Sequence, residues 1–194
     1  MVREHMEILR SIAEFFDNKS VAAFSGAFAA FALVMLNDWR RDRRKVNNIR
    51  GEVEMNLLLA KGKLESIRSN RSLMLEKNRV VPAPILKFPT MLIRELSAEV
   101  LSRLTMDQRR SIEALLYTME ATDELLSEIY ELARSLSGAL GQAERMGQAN
   151  RLRINFEDAI VNLKRLMEMC ENYIAGRYSI IVTKQYDRLE YEEA

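Results

Sequence analysis

The chain has 194 residues, 48% hydrophobic and 29% charged, with 29 Lys plus Arg against 28 Asp plus Glu. That balance excludes a disordered chain and a protein held on nucleic acid by its overall charge. Seven glycines and three prolines are too few for the turns of an all-β sandwich or a doubly wound α/β fold, so the predicted class is all-α. A single cysteine, Cys170, excludes an internal disulfide, and with only one histidine, His5, no nitrogen or sulfur metal site is predicted.

In chain order, residues 1–19 carry Val2, Met6, Leu9, Ala13 and Phe16 at steps of three and four. This predicts an amphipathic helix that lies in a membrane interface or docks on the protein's own bundle. Asn18 and Ser20 can end that helix and cap the next. From Ser20 to Asn37 there are 18 residues without a charge, reaching roughly 27 Å as a helix, close to the hydrocarbon thickness of a bilayer. Trp39 and the run Arg40, Arg41, Arg43, Arg44 and Lys45 follow at once. An apolar block, an edge Trp and a basic stop predict a transmembrane helix over 20–37, with lipid headgroups at Trp39 to Lys45 and everything after it in the cytoplasm. A cleaved signal peptide fits less well, because the apolar block follows a 19-residue, acidic-leaning segment instead of a short cationic one.

Within this segment Ala22, Gly26 and Ala30 recur every fourth residue, with Ser25 and Ala29 in a second row beside them. Small residues let helices approach closely in lipid, so these five positions are the predicted self-association interface. Phe24, Phe28 and Phe31 form a ridge that faces lipid or lines a dry, dewetting pore.

Residues 38–194 read as one helical bundle with breaks near 80–90 and 137–148. The first long helix carries Val46, Ile49, Val53, Leu57, Ala60, Leu64 and Ile67 as an inward seam. Residues 37–79 hold twelve cations and six anions, a net +6. Pro82, Pro84 and Pro89 break the helix. A short helix from Met91 to Leu104 turns Leu92, Ile93, Leu96, Val100 and Leu104 inward, and Thr105 with Gln108 forms a capping box. The next helix carries Ile112, Leu115, Met119, Thr122, Leu126, Ile129, Ala133 and Leu136; residues 106–136 hold seven anions and three cations, a net −4. Opposite fields predict that the +6 and −4 helices pack antiparallel. Ser137 to Gly147, with three glycines, reads as a loop, and a last helix starts near Ala149 with Leu152, Phe156, Ile160, Leu163, Met167, Cys170 and Ile174 inward. Gly176 ends or weakens it, and helix is expected to continue over 178–183.

No phosphate loop, nucleophile elbow, paired-Cys or zinc-protease pattern occurs, so no catalytic residue and no cofactor is predicted. The basic run is better accounted for by a stop-transfer signal and anionic lipid than by nucleic acid. In architecture the Val21–Leu36 anchor, the Arg40–Lys45 run and the Leu57–Leu59 region on the emerging helix resemble the small membrane accessory proteins of bacterial defence loci, including those of type VI CRISPR systems. The chain lacks the Arg and His pair of the HEPN-like members. What the resemblance implies is a membrane effector that oligomerises and perturbs or permeabilises the bilayer. The expected function is therefore a self-oligomerising, single-pass membrane protein that forms a pore or perturbs the membrane. The alternative is a membrane-tethered adaptor whose bundle binds a cytoplasmic protein partner.

Overall fold

A computed structural model describes residues 19–77, 79–82, 86–136 and 142–183, and their fold is all-helical, without a strand. The amphipathic helix expected over 1–19 lies outside the described residues apart from Lys19. The elements are α1 (Lys19–Lys77), α2 (Met91–Glu99), a 3-10 turn (Leu101–Arg103), α3 (Met106–Leu136) and α4 (Gln142–Ile174). They form two compact units, Met1–Arg44 and Lys45–Ala194.

The long α1 contains no proline, and the exit from the apolar segment and the first bundle helix are one element of 59 residues. Among the described residues, however, no helix is long and apolar enough to cross a membrane. Described side chains begin at Phe24, and from there to Leu36 the apolar run is 13 residues, or about 20 Å. The expected span over 20–37 needs Ser20 to Ala23 as well, whose side chains lie outside the description.

In the second unit the inward seam of α1 is Ile49, Val53, Ala60, Leu64 and Ile67, all buried. Asn56 is fully buried and Leu57 only partly, the reverse of what the sequence pattern predicts. Successive residues turn about 100°, which sets Asn56 nearer the middle of this face. Its Nδ2 donates to the Glu52 carbonyl at 3.0 Å, while its Oδ1 has no partner.

The α2 helix stops at Glu99, and a 3-10 turn carries the chain on to Leu104. Ile93, Val100 and Leu104 are buried as expected, whereas Leu92 is 42% exposed. The capping box is formed: Gln108 N donates to Thr105 Oγ1 at 3.2 Å and Thr105 N to Gln108 Oε1 at 2.8 Å. The inward residues expected of α3 are buried from Ile112 to Ala133, with Leu136 partly so.

The last helix begins at Gln142, seven residues before the expected start. Gln142 to Met146 are good helix formers, and Gly147, with open space where a side chain would be, does not break them. Leu152, Phe156, Leu163 and Cys170 are buried, joined by Ala159, Leu166, Met169 and Tyr173. Gly176, at φ 74°, ends the helix: Arg177 N donates to Asn172 O at 2.8 Å and Gly176 N to Tyr173 O at 3.0 Å, a Schellman cap. Residues 178–183 are helical again.

The helix directions correct one expectation. Arg151 with Glu128 and Ser135 with Gln148 show that α3 and α4 are antiparallel. Lys63 meets Asp123, Ile67 lies by Ile129, and Met74 lies by Ala133 and Leu136. Numbers rise together along α1 and α3, so the basic and acidic helices run parallel, not antiparallel. Arg71 pairs with Glu157, and α1 is antiparallel to α4 instead.

Candidate functional site

In the first unit, Phe24, Phe28, Phe31, Leu33, Val34, Met35 and Leu36 are between 42 and 75% exposed, all round the helix. Ser25, Gly26, Ala29 and Ala30 are exposed as well, and a Cβ added at Gly26 meets no atom within 4 Å. Ala22, the other member of that row, has its side chain outside the description. Counted at 100° per residue, the phenylalanine ridge lies on the side of α1 opposite Gly26.

The polar border follows directly. Trp39 is about half exposed, with the Arg43 guanidinium 5.3 Å from its ring centroid, a cation–π contact. Arg41 pairs with Asp38 at 3.3 Å. Arg40 and Arg44 are exposed. Lys45 belongs to the second unit and pairs with Glu99, so it is tied to the bundle.

The second unit holds a polar cluster that the sequence pattern did not single out. Lys63 Nζ donates to Asp123 Oδ1 at 2.8 Å, with both side chains 10% exposed. Phe88 N donates to Asp123 Oδ2 at 2.7 Å, and the Lys63 ammonium stands 4.0 Å from the Phe88 ring centroid. One carboxylate thus holds α1, α3 and the segment before α2 together. Nothing local signals it, since the partners are 60 and 35 residues apart; the only hint is an Asp beside the seam residue Thr122.

Reactive groups elsewhere are quiet. Burial, with a smaller effect from Glu171, pushes the Cys170 thiol up to about 12, so it stays protonated and unreactive. Burial and the neighbouring Tyr178 also raise Tyr173, whose ring meets that of Tyr178 edge to face at 5.1 Å. Among the described residues no group of three or more His, Cys, Asp or Glu could hold a metal ion. No protein-family model, curated protein or solved structure matches the chain.

Proposed function

We propose that the chain is a membrane-anchored helical protein whose N-terminal unit enters the bilayer and holds the bundle at its surface. The observation that carries this reading is the unbroken apolar collar from Phe24 to Leu36, exposed on every side and bordered by Trp39 and four arginines. A helix that is apolar all round is covered by protein or by lipid, and the order of apolar collar, indole and cations is that of a membrane entering its headgroup layer. With Ser20 to Ala23 and Asn37 the uncharged segment comes to 18 residues, close to the thickness of the hydrocarbon layer.

In lipid, the row Ala22, Gly26 and Ala30, with Ser25 and Ala29, is the face by which anchors associate side by side. The phenylalanine ridge, on the opposite side, faces lipid in such a pair. A pore lined by Phe24, Phe28 and Phe31 requires the anchor to be turned the other way.

The test is flotation of the full chain with vesicles, followed by its mass in mild detergent and ion flux through the vesicles. Binding to neutral vesicles that resists high salt is expected, since it rests on apolar insertion. Replacing Arg40, Arg41, Arg43 and Arg44 by Gln weakens the added binding to anionic vesicles, at about 1 kcal/mol per cation. Gly26→Leu lowers the detergent mass toward that of a monomer. A chain that stays out of neutral vesicles refutes the anchor, and sustained conductance favours the pore.

A further inference from the structure

The bundle part of α1 has a second seam, opposite the buried one. Asn48, Gly51, Met55, Leu58 and Gly62 follow at steps of three and four, all uncharged and all exposed. Met55 is 53% and Leu58 64% exposed, and a Cβ at Gly51 or Gly62 meets nothing within 4 Å. From Arg50 to Glu65 this helix carries six charged residues; five of them lie off this face, and Glu65, the next residue at a step of three, closes its far end. Keeping charge off two opposite faces is what a helix does when it packs on both sides.

The charges beside the seam identify what covers it. Arg50, Glu54, Lys61 and Glu65, all exposed, read plus, minus, plus, minus along one shoulder. Turned end for end about the point between Leu57 and Leu58, the same helix sets Glu65 against Arg50 and Lys61 against Glu54. A two-fold axis repeats both pairs, giving four attractive pairings and no repulsive one. Self-complementarity of this kind is the requirement of an isologous contact between identical chains. In the same alignment Met55 and Leu58 of the second copy stand within two residues of the same level, about 3 Å along the axis, and so do Gly51 and its Gly62. A parallel pair sets this shoulder against Glu52, Leu59 and Ser66, which include no cation, and makes none of these pairings.

We propose that this outer face of α1 pairs antiparallel with the same face of a second copy of the chain. The Arg50 to Glu54 contact within one helix, 3.4 Å and exposed, is weak enough to give way. The proposal stands on the bundle unit and does not rest on the membrane anchor. The two Lys45 residues end up at opposite ends of the joined helices. One seam of about four turns is smaller than a standard interface, and the dimer is therefore concentration-dependent.

The test uses the full chain in mild detergent. Chains with Met55→Cys are mixed with chains with Leu58→Cys and oxidised gently; native Cys170 is buried and stays out of the reaction. Mixed disulfide dimers in clear excess over Met55→Cys self-dimers are expected. Glu54→Lys or Lys61→Glu alone lowers the dimer fraction several-fold in sedimentation, and the two together restore it. Met55→Cys self-dimers as the main product overturn the antiparallel arrangement, and absence of cross-linking overturns the contact. Single and double charge variants with equal dimer fractions overturn the charge pairing. These outcomes are independent of flotation, so failure of this contact and failure of the anchor are told apart.

Discussion

Removing the Asp123 carboxylate tests how the bundle is held. Asp123→Ala deletes the bonds from Lys63 Nζ at 2.8 Å and from Phe88 N at 2.7 Å. It leaves an ammonium that is 10% exposed beside the Phe88 ring without its carboxylate partner, and a backbone N–H that has lost its acceptor. Breaking a buried pair by removing one partner costs about 3–5 kcal/mol, because the remaining charge is uncompensated. The exposed pairs Arg94–Glu120 and Arg151–Glu128, by contrast, contribute roughly 0–1 kcal/mol each. At a urea dependence of about 2 kcal/mol per molar, the loss moves the unfolding midpoint down by about 2 M. The double variant Lys63→Met with Asp123→Asn removes both charges and keeps an acceptor for Phe88 N, so it costs less than Asp123→Ala alone. Urea unfolding of the three proteins followed by circular dichroism decides the matter. A midpoint for Asp123→Ala within about 0.5 M of the parent, a quarter of the expected shift, refutes the reasoning, since the cluster is then solvated in spite of its burial.

Three further outcomes follow from single side chains. Asn56→Leu removes an unpaired buried Oδ1 from an apolar seam, and raises stability by about 1 kcal/mol in the same urea assay. Thr105→Ala opens the capping box and lowers stability by about 1 kcal/mol, while Thr105→Ser retains it. Cys170 and Tyr173 both have raised pKa values in the folded protein; their contribution to stability is therefore whole below pH 9, the ordinary thiol value, and is lost as pH rises toward the folded values. Unfolding midpoints that decline above pH 9, together with a thiol that reacts with an aromatic disulfide reagent only after unfolding, are the expected readouts.

How far the sequence could be read depended on the distance over which each interaction acts. The capping box at Thr105, the inward stripe of α3 and the break at the prolines are local patterns, and each stands where its spacing places it. The Lys63, Asp123 and Phe88 cluster joins three segments far apart in sequence, and no spacing rule reaches it. The direction of α1 against α3 is a more instructive miss. Net charges of +6 and −4 favour adjacency, but a sum of charges has no direction and does not distinguish parallel from antiparallel packing. The connection does. From Lys77 back to the level of Lys45 is about 48 Å of helix at 1.5 Å per residue. The 13 residues 78–90 reach at most about 45 Å when extended, and the 9-residue α2 adds about 13 Å. Together they span the full return, and the pair of Lys45 with Glu99 marks where it ends. A connection with that reach allows α3 to start at the same end at which α1 entered the bundle, and parallel packing follows. The outer seam of α1 was hidden for a related reason. Glycine, methionine and leucine among charged residues look like an ordinary solvent face until the helix on which they lie has its other face filled.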